Sequence, residues 1–275
     1  MSEIAANNIS YLRSTSARNI ITSQGLLSAF KSPTHYHEDY HIGVVSTGHY
    51  HQHSRFGSGV LFPGHFCIMP PDEPHSGIVS NTARCILHTI RIPSDSMGLL
   101  TDTPEKKLPF NGKTFSSQLI YNLLLEYLSI HTPCYKDNSQ NDFLCIIIEA
   151  ILNKHGKLIE SIKKNNNFNI EKLKFYCIEN LSEKIDIDSM SKFTGIGKFE
   201  FIRKFSRQVG MTPYSWLNSI KAEQAFVMIK TTNKPLIEVS SALGFYDQSH
   251  FSHFFKRYFS IPPAELRRQL KEPKS

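Results

Sequence analysis

Histidine supplies most of the side chains whose spacing could do chemistry here. His35-x-His37 sets two imidazoles on the same side of a strand, about 6.6 Å apart along it. His41 follows four residues on and can join them only if Glu38-Asp39 bends the chain, because about 13 Å of straight strand would otherwise separate it from His37. Neutral imidazoles suit Zn²⁺, Ni²⁺ or Cu²⁺ better than Ca²⁺ or Mg²⁺. The same histidines would equally line a cavity for a small molecule, or serve only structure, so the spacing leaves all three roles open. His49, His51 and His53 alternate along one strand face, which reads as a wet face, with a second metal-sensing or pH-sensing cluster as the sharper alternative. Arg55, Arg84 and Arg91 carry the charge a bound carboxylate would need. No nucleophile stands in a recognisable setting, so no enzyme is expected and no cofactor is required beyond that optional divalent metal.

A second set of residues lies near the C-terminus. At an offset of 50, Ile187 pairs with Ile237, Phe201 with Phe251, Phe205 with Phe255, Arg207 with Arg257 and Pro213 with Pro263. A helical unit is used twice. In each copy an apolar helix meets a glycine turn and then a second helix that closes before a proline, the helix-turn-helix pattern. At 100° per residue, Phe251, Phe254, Phe255 and Tyr258 share one face of the later helix, and Gln248, Ser249, Ser252, His253 and Lys256 share the other. In the first copy Phe201 and Phe205 form the docking stripe and leave Lys198, Phe199, Ile202, Arg203 and Ser206 outward. Arg203 suits a guanine edge or a phosphate. Phe199 and Ile202 make sense against thymine methyls or sugar edges, or packed on a neighbouring helix. Between the copies Pro213 to Lys230 reads as one helix of about 27 Å, close to the ~34 Å spacing of successive major grooves.

These residues need two different scaffolds. The chain has 275 residues and a formal net charge of +7, but residues 170 to 275 hold seventeen Lys and Arg against eleven Asp and Glu, whereas residues 1 to 105 hold six against eight. Nine of the 13 histidines fall between His35 and His88. From about residue 25 to 92, short β-prone stretches broken by Gly and Pro suggest an antiparallel barrel or sandwich. After Pro109 the period changes. Phe115, Leu119, Tyr121, Leu123, Leu124, Tyr127 and Leu128, then Phe143 to Leu152, read as two helices that serve as domain core or as a partner helix. Lys163-Lys164-Asn165-Asn166-Asn167 is the candidate linker. Five scattered cysteines without a CxxC pair fit a reducing compartment. No apolar run spans a bilayer and the first eight residues have no signal pattern, so a cytoplasmic protein without membrane partners is expected.

The run Gly195-Ile196-Gly197-Lys198-Phe199-Glu200-Phe201-Ile202-Arg203-Lys204-Phe205, then Gly210-Met211-Thr212-Pro213, then Gly244-Phe245-Tyr246-Asp247-Gln248-Ser249-His250-Phe251-Ser252-His253-Phe254-Phe255-Lys256-Arg257-Tyr258-Phe259 with Pro263 and Arg267, resembles the DNA-binding domain of AraC/XylS-type transcription regulators. The resemblance covers about 100 residues. It implies a sequence-specific bacterial regulator, more often an activator that helps recruit RNA polymerase, with reading positions on Lys198, Phe199, Ile202 and Arg203 and on Gln248, Ser249, Ser252 and His253. Two departures weaken local capping: Gly197 stands where Ser is usual, and Ser260-Ile261-Pro262 replaces Gly-x-Thr. His35-x-His37 with His41 and Gly48, and Gly64 with Pro70, Asp72 and His75, resemble the two motifs of cupin barrels, with His41 where Glu is commoner and Asp72 replacing Gly. The second motif adds His75 to His35, His37 and His41 as candidate contacts for an effector or a metal, and cupin-like sensing domains are common in this family.

The expected architecture is therefore α+β and multidomain. A cupin-like all-β sensing barrel occupies 1–108, a helical linker or dimerisation region 109–165, and an all-α DNA-binding domain 166–275, with helix-turn-helix motifs at about 187–208 and 236–258 joined by a long helix. The leading expectation is a DNA-binding regulator controlled by a small-molecule effector, able to form a homodimer. The competing readings are a metal-dependent cupin enzyme or metal sensor with a DNA-binding tail, and a structural DNA-binding protein without effector.

Overall fold

The computed structural model describes residues 8–13, 19–100, 113–130, 139–155 and 168–271. The expected linker Lys163-Lys164-Asn165-Asn166-Asn167, both expected domain boundaries and Cys134 lie outside them. The chain forms two compact units, one chiefly His37–Glu160 and one chiefly Ser161–Arg267.

The N-terminal unit is an antiparallel sheet of β1 (Asn8–Arg13), β2 (Ile21–Lys31), β3 (Tyr40–Thr47), β4 (Tyr50–Ser54), β5 (Gly57–Leu61), β6 (His65–Met69), β7 (His75–Ile92) and β8 (Thr114–Ser116). The order is β1-β2-β7-β3-β6-β8, with β4 paired to β5 and β7. The long β7 organises the sheet: His75 to Ile78 pair with β4, and Ile86 to Arg91 are held between β2 and β3. The tight link between β3 and β4 needs Gly48, whose φ is +79° and where a Cβ would stand 1.9 Å from the Arg84 carbonyl oxygen.

Two apolar clusters lie on the two faces of β3. Ile42 and Val44 join Phe66, Ile68, Ile90 and Ile92 under the helices α1 (Ser94–Leu100), α2 (Gln118–Ile130) and α3 (Ser139–His155). Val45 joins Leu27, Leu61, Cys67, Val79 and Cys85 on the other face. A strand buried on both faces reads as a continuous apolar run, which is why Ile42-Gly43-Val44-Val45 shows no alternation. Burial pushes the Cys67 thiol up to about 12 and the Cys85 thiol up to about 11, so both stay protonated and inert. The Tyr121 hydroxyl donates to the Val45 carbonyl at 3.0 Å, fastening α2 to β3.

Two expectations about these elements need correcting. Phe115, read as helical, lies in β8, because Thr114 to Ser116 pair with His65 to Cys67 and the Phe115 ring stacks on Phe66 at 5.4 Å. The strands also begin before residue 25, with β1 and the start of β2 paired to each other.

The C-terminal unit is helical: α4 (Ile170–Glu179), α5 (Ile187–Thr194), α6 (Lys198–Val209), α7 (Pro213–Thr231), α8 (Leu236–Ala242), α9 (Gln248–Phe259) and α10 (Pro263–Lys271). The central α7 is buried along most of its length through Trp216, Leu217, Ile220, Ala225, Phe226 and Ile229. No helix among the described residues is long and apolar enough to cross a membrane.

Candidate functional site

The two helix-turn-helix units are built from local signals. Asp186 caps α5 by accepting from the Ser189 N–H at 2.8 Å, and the Ser189 hydroxyl accepts from the Asp186 N–H at 3.0 Å, a reciprocal capping box. Gly195, at φ +69°, ends α5 in the left-handed conformation that glycine tolerates. In the second copy Gly244 takes φ +70°, and Asp247 caps α9 by accepting from the His250 N–H at 2.7 Å. The caps differ at two places. Gly197 begins α6 with no side-chain cap, and Ser260 is held at φ +61° where the first copy has Gly210 at φ +87°.

Each second helix docks through phenylalanines. Phe201 and Phe205 on α6 are fully buried, with Phe205 edge-on to Trp216 at 5.1 Å. Phe251, Phe255 and Phe259 do the same on α9. The opposite stripe is outward in both: Lys198, Phe199 and Arg203 are exposed and Ile202 is half-buried, and likewise Gln248, Ser249 and His253 are exposed and Ser252 half-buried. Phe199 is 87% exposed. Lys198 pairs with Asp188 at 2.9 Å and Lys204 with Glu200 at 2.8 Å, both at the surface and of small energetic weight. The connecting α7 has 19 residues, about 28 Å at ~1.5 Å per residue. Tyr246, 95% exposed in the turn before α9, is a surface aromatic that periodicity overlooked, because it lies outside any helix.

In the N-terminal unit the chain bends at Glu38 and Asp39, as a gathering of His41 with His37 requires. His37 and His41 stack flat, ring centroids 3.7 Å apart and 5° from parallel. The His37 ring is also tilted against that of His75, centroids 5.1 Å apart, whereas Pro33 to Tyr36, and His35 with them, group with the other unit. The Nδ1 of His35 lies 2.8 Å from the Pro33 carbonyl, and that of His75 2.8 Å from the Glu73 carbonyl. A carbonyl only accepts, so in the neutral rings Nδ1 carries the proton and Nε2 keeps its lone pair, as a metal ligand requires. Burial lowers the His35 pKa, which keeps that ring neutral at pH 7.

The other candidates are dispersed. His51 and His53 are exposed on β4, with His53 Nδ1 2.7 Å from the Ser58 hydroxyl, and His49 precedes that strand. Two of the three arginines are already engaged. Arg55 holds the buried Glu73 through its guanidinium at 2.7 Å and its backbone N–H at 3.0 Å, and Arg91 pairs with Asp39. Arg84 is exposed on β7.

Comparison with known proteins matches both halves. Residues 27–138 fit the AraC-like ligand binding domain, and residues 190–269 fit the helix-turn-helix domain. An uncharacterized HTH-type transcriptional regulator of Bacillus subtilis, YbfI, is 24% identical over 231 residues, covering 82% of this chain and 83% of the relative. The HTH-type transcriptional regulator MtrA of Neisseria gonorrhoeae is 27% identical over 205 residues, covering 74% and 62%. The HTH-type transcriptional activator RhaS of an Enterobacter species is 24% identical over 117 residues, 42% of each chain. Among solved structures, apo ToxT of Vibrio cholerae superposes with a TM-score of 0.59 at 13% identity over 96% of this chain and 97% of that one, and ToxT bound to an unsaturated fatty acid with 0.55 at 14% over 98% of each, a likeness of fold. The chain belongs to the AraC family of transcription regulators, with an AraC-like ligand-binding domain followed by a helix-turn-helix DNA-binding domain.

Proposed function

We propose that this regulator is a cytoplasmic, effector-controlled activator that catalyses no reaction, reads two successive major grooves and acts by helping to recruit RNA polymerase. Lys198, Phe199, Ile202 and Arg203 on α6 and Gln248, Ser249, Ser252 and His253 on α9 are the reading residues. The supporting observation is the matched pair of helices, each docked by buried phenylalanines and each presenting the same four positions outward. Activation is supported by the likeness to RhaS, named as an activator. A homodimer through α2 and α3 is supported by Leu119 and Ile146, which are 68% and 58% exposed.

Footprinting of the full chain should show two major grooves protected on one face of the duplex, and equal affinity for all sequences at fixed salt would refute the reading. Arg203→Ala should relax base preference in one groove, whereas loss of affinity on all sequences alike would reduce Arg203 to a phosphate contact.

For the effector, His35, His37, His41 and His75 are the proposed contacts. A small organic molecule is supported by ToxT, whose structure of this fold holds an unsaturated fatty acid. The close rings of His37, His41 and His75 favour a second reading, a divalent Zn²⁺, Ni²⁺ or Cu²⁺ held among His35, His37, His41 and His75. Thermal-shift titration with fatty acids and with each metal, beside elemental analysis, separates the two. Stoichiometric metal lost in His37→Ala supports the ion, and a shift with an organic ligand in metal-free protein supports the molecule.

A further inference from the structure

Resting on the two-groove reading above, we infer that the two helices read different chemistry: α6 recognises thymine C5-methyl groups through Phe199 and Ile202, and α9 recognises hydrogen-bonding base edges alone. The fifty-residue repeat makes the comparison internal to one chain. Burial matches position by position from Lys198 to Phe205 and from Gln248 to Phe255: three exposed residues, a buried Phe, one half-buried, one exposed, one half-buried and a second buried Phe. The two helices therefore present equivalent sites. What fills those sites differs. Lys198, Phe199, Ile202 and Arg203 in the first copy correspond to Gln248, Ser249, Ser252 and His253 in the second.

Phe199 and Ile202 stand three residues apart, on the same helix face as Arg203. Phe199 is 87% exposed, and the described aromatic contacts of α6 are made by Phe201 and Phe205 on the opposite face. Its ring adds nothing to the core, and the second copy folds with Ser249 in the same place. An apolar pair gains free energy only against apolar surface, and on a major-groove base edge that surface is the thymine methyl. Lys198 and Arg203 flank the pair with charge suited to phosphate or a guanine edge. Ser249, Ser252, Gln248 and His253 offer donors and acceptors instead, which adenine, guanine and cytosine edges answer as well as thymine. Tyr246, the exposed aromatic of the second copy, precedes the Asp247 cap and so lies off the α9 stripe.

The test uses the full chain and a duplex selected by it from random sequence. Each thymine of the selected site is replaced in turn by uracil, which deletes the methyl and keeps the Watson–Crick edge. Affinity is read by fluorescence anisotropy at one salt concentration. The expected result is a loss of about fourfold for each methyl contacted, with the sensitive thymines confined to one of the two protected grooves. Phe199→Ser with Ile202→Ser, which installs the residues of the second copy, should abolish that sensitivity while leaving the salt dependence of binding unchanged. Phe199→Leu should retain sensitivity, which separates apolar contact from damage to the helix. Uracil duplexes bound as tightly as thymine duplexes, sensitivity in both grooves, or sensitivity surviving the double Ser variant would each overturn the assignment while the regulator reading stands. Failure of selection to enrich any sequence would overturn both.

Discussion

Gly195 and Gly197 lie two residues apart in the turn before α6, and substitution by serine should move stability in opposite directions. A Cβ added at either position meets nothing within 4 Å, so side-chain space plays no part and backbone conformation decides. Gly197 is the N-cap of α6 at φ −60° and ψ 143°, where any residue is comfortable, and it supplies no side-chain cap. Gly197→Ser adds an oxygen for an orphan N–H of the first turn, as Asp247 does for α9, worth a few tenths of a kcal/mol over glycine. It also lowers the entropy of the unfolded chain, which brings the gain to about 1 kcal/mol. Gly195 sits at φ +69°, and forcing an L side chain into that region costs about 1–2 kcal/mol, only partly offset by the same entropy gain. Trp216 is the sole tryptophan of the chain, is 3% exposed and lies against Phe205, so its fluorescence reports the helical unit within the intact protein. At a slope of about 1.5 kcal/mol per molar urea, Gly197→Ser should raise the midpoint by about 0.7 M and Gly195→Ser lower it by a comparable amount. Shifts of the same sign would refute the claim that cap and φ, rather than packing, set the energetics of this turn.

Two further outcomes follow from the same physics. Gly244→Ala should cost more than Gly195→Ala by the same Trp216 signal, roughly 2–4 kcal/mol against about 1, because its Cβ would stand 2.3 Å from the Leu181 carbonyl oxygen as well as at φ +70°; equal losses would show that the backbone yields freely there. The sheet unit should weaken in acid, because desolvation first and the Lys154 charge second lower the pKa of His155, which packs against Phe66 and Phe115 with a buried Nε2 that has no hydrogen-bond partner among the described residues. The unfolded ring takes up a proton near pH 6.5 and the folded ring resists it, so stability present above about pH 6.5 is lost as pH falls below it, and His155→Leu should flatten that loss in near-UV circular dichroism unfolding curves recorded between pH 7.5 and 5. An unchanged slope would exclude His155 as a source.

What could be read from the residues alone divides by the range of the forces involved. The helix-turn-helix half rests on contacts close in sequence: a buried Phe every turn, a left-handed Gly at a helix end, a Pro opening α7. Each leaves a mark at its own position, and the offset of 50 doubles every mark, so the outward stripes of α6 and α9 follow from spacing, and α7 does to within its last residue, Thr231. The sheet half rests on partners chosen at a distance. That β7 would serve β2, β3 and β4 is written in no short window, because its first residues, His75-Ser76-Gly77, are polar or small and become a strand only by pairing with β4. Phe115 shows the same limit, since its apolar spacing continues a helical pattern but pairing with β6 makes it a strand. The histidines fall between these cases. Spacing paired His35 with His37 and the cupin resemblance added His75, but the flat stacking of His41 on His37 depends on how the bend at Glu38 and Asp39 turns the two rings, which residue type does not encode. Arg55 and Arg91 look like anion ligands until the fold supplies Glu73 and Asp39 as their partners, 18 and 52 residues away. Phe199 is the reverse: an apolar residue that local periodicity could assign to packing, and whose outward position becomes meaningful only beside Ser249, its counterpart on the same scaffold.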